Sequence, residues 1–143
     1  SLGYPDPANE MAILDRYGNA DPLAQIGAVT TADAVRAAMA TVGQIMVSES
    51  IKKYILSLTA ATRENERIRL GVSPRGSLAL MRASQAYAAM EGRDYVLPDD
   101  VKKTAIAVLS HRILARTLNT IHLTDTNEQL IEQIVDKVRA PIE

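Results

Sequence analysis

The chain has 143 residues, 47% apolar and 23% charged, and its 16 lysines and arginines nearly balance its 17 aspartates and glutamates. A hydrophobic content this high with so small a net charge excludes a disordered tail, and the length suffices for one domain with a buried core. The absence of cysteine excludes disulfides and thiolate metal sites, and it agrees with the cytoplasmic location that we expect. No apolar run is long enough to span a membrane, and the lack of a basic excess disfavours nucleic acid as a partner.

The apolar residues are mostly small or aliphatic. The chain has 21 alanines, no phenylalanine and no tryptophan, and alanine is the strongest helix former. We therefore predict a mainly α fold, a compact helical bundle with at most short extended segments.

Two helices are predicted in the first part of the chain. Asp6 and Pro7 are typical of a helix start, and Gly18 is predicted to close this first helix. Thr30 with Asp33 resembles a capping box and predicts the start of a second helix.

A third helix follows an apolar segment, residues 44–47, which is predicted to be a strand or an extended link. Ser48 is predicted to cap this helix, whose apolar side chains share one face: Ile51, Tyr54, Ile55 and Leu58. The next segment, residues 62–69, is rich in charge, so we predict an exposed connection that separates the two halves of the chain.

The longest predicted helix begins at Ser73 and Pro74 and ends at Gly92. It belongs at the centre of the fold because small side chains on its inner face let another helix approach closely. The residues predicted to lie on that face are Ala79, Ala83, Ala86, Tyr87 and Met90.

Another helix is predicted to begin at Pro98, followed by Asp99 and Asp100. Acidic residues favour the positive end of a helix dipole, so we interpret both as solvated capping charges rather than catalytic acids. Residues 116–126 are predicted to be irregular or briefly extended, and a last helix is predicted near 126–139.

The motifs that are missing limit the chemistry of the chain. It has neither the G-x-x-x-x-G-K-[ST] phosphate loop nor a G-x-G-x-x-G turn, so by itself it carries no recognisable nucleotide cradle. Its two histidines, His111 and His122, have no partner at ligand spacing, and we expect no metal site.

The informative motif is the segment 71–76. Because the residue before a proline is pushed out of the helical region, Ser73 is predicted to be extended, and Pro74 supplies the first helical φ angle. Arg75 then lies in the first turn, where a cation opposes the helix dipole at a cost of about 0.3–1 kcal/mol. A bound anion would offset that cost, and Gly76 leaves room for its approach.

This interpretation makes the start of the helix a candidate phosphate site. Arg82 lies seven residues after Arg75, on nearly the same face, and could extend the positive strip. The alternative is that Arg75 is an ordinary surface arginine after a helix cap.

Residues 70–102 closely resemble the C-terminal lid subdomain of MoxR-family AAA+ ATPases. Residues 2–5 and 108–113 occur in the same order and at similar spacing in that family, whereas the sequence after Arg116 matches only loosely. The resemblance implies that Arg75 is the sensor-2 arginine, which reaches toward the γ-phosphate of ATP. It implies nucleotide-site roles for Ser73, Pro74 and Gly76, which shape the helix start, and a weaker one for Arg82.

The resemblance also implies a division of labour within a longer protein. Residues 1–5 would be a linker from the large ATPase subdomain, and residues 6–143 the helical lid. In the family the phosphate loop, the magnesium-binding acids, sensor 1 and the arginine finger belong to the large subdomain. The chain begins at Ser1 without Met, as expected of a piece of a longer protein, and we expect it to be inactive alone and to hold no cofactor tightly.

The whole protein would bind ATP and magnesium and hydrolyse ATP in a homo-oligomeric ring. Its expected partners are its own large subdomain, neighbouring subunits and a client protein, on which it would act like a chaperone in maturation or cofactor insertion. Arg112, beside His111, would serve packing or contact a neighbouring subunit. The alternative is a freestanding helical interaction module, or a nucleic-acid-binding one, with Arg63, Arg67 and Arg69 as its contact surface.

Overall fold

The computed structural model describes residues 3–17, 23, 26–116 and 126–142, and these residues are mainly helical. They form six α-helices, which are α1 (Pro7–Tyr17), α2 (Ala32–Val42), α3 (Glu49–Glu64), α4 (Pro74–Met90), α5 (Pro98–Leu109) and α6 (Asn127–Lys137). Two short strands, β1 (Ile68–Leu70) and β2 (Leu114–Ala115), make an antiparallel pair. The predicted mainly α fold class is confirmed.

The chain divides into two compact units, residues 1–36 and 37–143. The predicted boundary between a linker and a lid after residue 5 stays a prediction. In the first unit, α1 begins where Asp6 and Pro7 predicted it, with the Asn9 N–H bonded to the Asp6 carboxylate at 2.9 Å. The predicted stop at Gly18 lies outside the described residues.

The predicted cap of α2 was wrong by one residue. The Thr31 hydroxyl, and not that of Thr30, accepts a hydrogen bond from the Ala34 N–H at 3.2 Å. Thr31 also accepts the first helical bond through its carbonyl, from the Val35 N–H at 3.1 Å. Adjacent threonines offer the same side chain in two registers, so the sequence pattern did not distinguish them.

The start of α3 agrees with the prediction. The Ser48 hydroxyl accepts a hydrogen bond from the Ile51 N–H at 3.3 Å, and the predicted apolar face of α3 is buried. Before it, the backbone at Met46 pairs with the loop that precedes α5, through bonds to Asp94 and Val96 of 2.8 and 3.0 Å. The predicted extended link is thus a single parallel bridge.

The charged segment after α3 differs from the predicted exposed connection. Thr62 still belongs to α3 and is fully buried, and Ile68 is buried in β1, where it pairs with Ala115. The charged residues of this segment are exposed or half-buried, and they surround the buried Thr62 and Ile68. The high charge of the whole segment therefore did not indicate that these two residues are buried.

The inner face of α4 was also predicted wrongly. Its buried residues are Gly76, Leu80, Ser84, Gln85 and Ala88, whereas Met90 is 84% exposed. Two of the buried side chains are polar and find partners inside the fold. Ser84 bonds to the Leu80 carbonyl at 2.9 Å, and Gln85 donates to the Ile45 carbonyl at 2.8 Å. Ser84 is satisfied within its own helix and Gln85 by a bond across the core, so both polar side chains can be buried, which an apolar pattern cannot show.

The core of the second unit lies between four helices. The helix α4 packs against α3 and α5, and α6 packs against the same two helices. Among the described residues, the largest fully buried side chains are mostly aliphatic: Ile51, Leu58, Leu80, Leu109, Leu130, Ile131, Val72 and Val101. Four polar side chains are buried with them: Thr59, Thr62, Ser84 and Asp100. The predicted last helix is confirmed as α6, capped by Thr126 through the Gln129 N–H at 3.2 Å. Of the segment predicted to be irregular, residues 117–125 lie outside the described residues.

Candidate functional site

Arg75 is the second residue of α4, and its side chain is exposed. Its guanidinium has no hydrogen bond or ion pair with any other described residue. The backbone N–H of Arg75 likewise finds no acceptor among the described residues. A cation and an unpaired N–H therefore share the positive end of a 17-residue helix, an arrangement suited to an anion.

The backbone before Arg75 has the predicted conformation. Ser73 is extended, with φ −74° and ψ 165°, and Pro74 occupies the first helical position. The Ser73 hydroxyl makes no capping bond, but its carbonyl accepts from the N–H groups of Gly76 and Ser77 at 2.8 and 3.3 Å. The Ser73 hydroxyl therefore does not bond to the first backbone N–H groups of α4.

Val72, three residues before Arg75, is fully buried and tied to the end of α3. Its N–H donates to the Thr62 hydroxyl at 3.0 Å, and its carbonyl accepts from the Arg63 Nε at 2.8 Å. One turn into α4, the Ser77 hydroxyl donates to the Thr59 hydroxyl at 3.2 Å. Bonds to α3 therefore fix the chain on both sides of Arg75.

Two glycines allow this close packing. A Cβ on Gly71 would lie 2.8 Å from the Cα and N atoms of Arg63, and a Cβ on Gly76 would lie 2.3 Å from a methyl group of Val72. Neither position has room for a side chain. The predicted open approach at Gly76 was wrong in this respect, because the residue is buried against Val72 rather than facing solvent.

Arg112 also lies beside the start of α4, which the sequence did not indicate. Its Cδ is 3.4 Å from the position of a Cβ on Gly76, and its Nε donates to the Val108 carbonyl at 2.8 Å. Thirty-odd residues separate the two in the chain, so only the fold brings them together. Arg82, two turns into α4, is exposed on the same helix as Arg75.

The arginines that would form a nucleic-acid surface are partly engaged within the fold. Arg63 bonds to the Val72 carbonyl, and the Arg67 Nη2 donates to the Gln133 side chain on α6 at 2.5 Å. Arg69 is exposed in β1. Two of these three guanidinium groups therefore connect elements of the second unit.

The two acids at the start of α5 have different environments. Asp99 is exposed, as predicted, but the interpretation of Asp100 as a solvated charge was wrong because its side chain is only 3% exposed. Arg93 binds it directly. The two adjacent acids therefore differ in burial: Asp100 is enclosed against the half-buried Arg93, whereas Asp99 remains in solvent near Lys102.

The described residues contain no group of histidine, aspartate and glutamate side chains arranged to hold a metal ion. His111 is exposed beside an open hollow of about 410 Å³ between α5 and α6. His122 lies outside the described residues. In the described ranges, no helix is both long and apolar enough to cross a membrane.

The model of the AAA lid domain family matches residues 60–134, a range that includes the end of α3, the Gly71–Gly76 segment and most of α6. The chain belongs to this family. Arg75 therefore lies within the part of an AAA lid that the family shares.

Relatives of this AAA lid agree with the resemblance to MoxR-family ATPases, which is confirmed. The chain is 32% identical over 142 residues to YeaC of Bacillus subtilis, an uncharacterized protein, and 29% identical over 150 residues to the chaperone MoxR1 of Mycobacterium tuberculosis. Each match covers 99% of the chain. A crystal structure from Cytophaga hutchinsonii, provisionally assigned as an ATPase, has the same fold with a TM-score of 0.82 and 30% identity over 99% of the chain.

The AAA lid spans less than half of these relatives. It covers 44% of YeaC, 39% of MoxR1 and 45% of the Cytophaga hutchinsonii protein. Each of them therefore has more residues outside the match than within it.

Proposed function

We propose that this AAA lid senses nucleotide in a MoxR-type ATPase, with Arg75 as the sensor-2 arginine. The observation that carries the proposal is the guanidinium of Arg75, which has no partner among the described residues and lies at a helix start that bonds to α3 hold in place. A guanidinium presents a planar fork of donors that suits phosphate oxygens, and the helix dipole adds to its positive charge. Arg75 would donate to the γ-phosphate of an ATP bound by a large subdomain.

The contribution of Arg75 to hydrolysis would be electrostatic. Negative charge on the transferred phosphoryl group is stabilised best by donors that are already in place, because no free energy is then spent on reorganising them. Loss of the γ-phosphate would remove the attraction between lid and large subdomain. Hydrolysis would thereby be converted into a rigid-body movement of the lid.

The remaining parts of the proposal concern the whole protein. ATP and magnesium would be held by the large subdomain, since the described residues of the lid offer Arg75 for phosphate but no acidic cluster for a divalent cation. The protein would act as a homo-oligomeric ring in the cytoplasm, with a chaperone-like role in maturing other proteins. The name of MoxR1 as a chaperone supports that role by similarity.

The proposal is tested by Arg75→Ala in the full-length protein. ATP turnover is expected to fall about 10²-fold, the effect of removing one preorganised donor. Arg82→Ala is expected to have a smaller effect. Arg139→Ala removes another exposed arginine, far along the chain in the segment after α6, and should leave turnover unchanged. Wild-type turnover in Arg75→Ala would refute the sensor role.

The lid alone should bind ATP only feebly and should not hydrolyse it, because Arg75 would be its main contact with nucleotide. Isothermal titration calorimetry of the isolated chain with ATP measures this. Micromolar affinity would reveal a complete nucleotide pocket within the chain and contradict the division of labour.

The nucleic-acid alternative is tested by titrating labelled duplex DNA at low and at high salt. Arg63 and Arg67 make contacts inside the fold, so we expect no specific binding. Strong binding that falls steeply with salt would favour the alternative, because displacement of counterions from phosphates produces that dependence.

A further inference from the structure

We propose that Thr62 and Arg63, at the end of α3, are positioning residues for Arg75. This inference rests on the proposed sensor role of Arg75, and it assigns to α3 the task of holding the arginine in place. Neither residue contacts nucleotide in this proposal. Both act through the backbone of Val72, which lies three residues before Arg75.

The two backbone bonds of Val72 go to consecutive residues of one helix. Thr62 accepts from its N–H at 3.0 Å and Arg63 donates to its carbonyl at 2.8 Å, so the peptide groups on both sides of Val72 are fixed to α3. The Thr62 hydroxyl also donates to the Thr59 carbonyl at 2.6 Å, which orients its lone pairs toward the Val72 N–H. Thr62 and Val72 are both fully buried, so water cannot replace the bond.

Close packing prevents the segment from sliding along α3. Gly71 lies against the backbone of Arg63, and Gly76 lies against the side chain of Val72. A shift of Val72 would therefore force Gly71 into α3 or open a gap beneath the first turn of α4. The base of the Arg75 side chain is located by α3 as much as by its own helix.

This matters because an arginine that approaches from another subdomain acts only if its donors arrive at the right place. A misplacement of about 1 Å can cost about 10²-fold in rate even when the chemical groups are intact. We expect the bonds from Thr62 and Arg63 to Val72 to affect the rate of ATP turnover only through the position of Arg75.

The experiment is a double-mutant cycle in the full-length protein. Thr62→Val has nearly the same shape as the native residue but leaves the Val72 N–H without an acceptor, and it should lower kcat about tenfold. Thr62→Ser keeps the hydroxyl and should restore most of that loss. In the Arg75→Ala background, Thr62→Val should change kcat by less than about twofold, since the arginine it positions is gone.

A control variant and a second α3 variant distinguish a loss of positioning from a loss of folding. Thr104→Val removes a threonine hydroxyl on α5 that is half-buried, donates to the Asp100 carbonyl at 2.8 Å and lies 3.2 Å from the Ser84 hydroxyl, far along α4 from Arg75, and it should leave kcat unchanged. Arg63→Met keeps the aliphatic stem beside Gly71 but removes the donor to Val72. It should reproduce the effect of Thr62→Val, including its dependence on Arg75. Thermal unfolding of each variant verifies that the lid is folded.

The outcomes separate this inference from the proposed function. If Arg75→Ala lowers kcat but the α3 variants do not, or if they lower it equally with and without Arg75, then α3 has only a structural role and the inference is overturned. If Arg75→Ala itself has no effect, the sensor role fails and the inference falls with it. Support requires an α3 effect that disappears in the Arg75→Ala background and is rescued by Thr62→Ser.

Discussion

Arg93 donates one hydrogen bond to each carboxylate oxygen of Asp100, with an Nη1–Oδ2 distance of 2.8 Å and an Nη2–Oδ1 distance of 2.6 Å. The Leu97 N–H donates to the same carboxylate at 2.8 Å, and Arg93 also donates to the Tyr95 carbonyl at 3.0 Å. These bonds fasten the loop between α4 and α5 to the first turn of α5. Because that loop also pairs with Met46, the ion pair connects three segments of the second unit.

Removing the buried acid should destabilise the lid far more than removing its exposed neighbour. Asp100→Ala leaves the Leu97 N–H without its acceptor and the Arg93 guanidinium with only the Tyr95 carbonyl, which should cost about 2 kcal/mol. Asp99→Ala is the matched control, and it should cost only about 0.5 kcal/mol because Asp99 contributes a solvated charge at the helix start. Unfolding of the chain in urea measures both. Equal losses would contradict the difference in burial.

The ion pair also predicts a dependence of stability on pH. Burial by itself would raise the pKa of Asp100, but the hydrogen bonds from Arg93 and Leu97 and the positive charge of Arg93 and Lys103 outweigh it and hold the pKa below its ordinary value. A carboxyl group whose pKa is lowered by folding stabilises the fold above its unfolded pKa of about 3.9. That contribution is lost as the pH falls through the lower, folded pKa.

The difference in unfolding free energy between the native chain and Asp100→Ala should therefore be constant from neutral pH down to about pH 5. It should shrink below about pH 4. Urea unfolding at a series of pH values provides the measurement. A difference that grows in acid would mean that the folded carboxyl group is protonated more easily than the unfolded one.

Gly71→Ala should destabilise the fold because the added methyl group would lie within 2.8 Å of the Arg63 backbone. Overpacking of this kind costs about 1–3 kcal/mol. Gly43→Ala serves as the control, since its nearest neighbour would be 3.4 Å away, and it should leave the free energy of unfolding unchanged or raise it slightly. A Gly71→Ala chain as stable as the control would show that the loop can move away from α3 without cost.

Tyr54→Phe should be neutral or stabilising, by up to about 1 kcal/mol. The Tyr54 hydroxyl is buried and has no hydrogen-bond partner among the described residues, and burial and the charge of Asp99 raise its pKa. Phenylalanine removes the unpaired group and keeps the ring. Tyr95→Phe is the comparison, since its side chain is 41% exposed and the change should have little effect. A clear loss of stability in Tyr54→Phe would indicate a partner for the hydroxyl.

Gly92 ends α4 with φ +73°, and no other group lies within 4 Å of where its Cβ would be. The cost of Gly92→Ala should therefore be purely conformational, about 1 kcal/mol. Gly92→Asn should cost less because asparagine tolerates the left-handed region better. If both variants unfold at the same urea concentration as the native chain, the left-handed turn is not required.

The sequence predicted those parts of the fold that depend on neighbours in the chain. Some signals act within one helical turn, where spacing alone determines the hydrogen bond or the φ angle. They are the cap at Ser48, the helix starts at Pro74 and Pro98, and the stop at Gly92. The position of Arg75 in the first turn of α4 follows from the same local rules.

Several predictions failed where a polar group is buried by contacts with a distant part of the chain. Gln85 can be buried because its side-chain amide donates a hydrogen bond to the Ile45 carbonyl. Thr62 can be buried because its hydroxyl accepts a hydrogen bond from the Val72 N–H. Neither partner is visible in a pattern of apolar residues. The extended backbone and first-turn arginine of the candidate site could be predicted, but its attachment to α3 and the position of Arg112 could not.

The opening composition, rich in alanine and free of large aromatics other than tyrosine, determined by itself that the chain would be helical with a core of small and aliphatic side chains. The local signals determined where most of its helices begin. Only the tertiary structure decided which of two adjacent acids is buried, which face of α4 turns inward and what holds Arg75. Each of these depends on hydrogen bonds and close packing between elements, which arise from the fold as a whole and not from any short stretch of sequence.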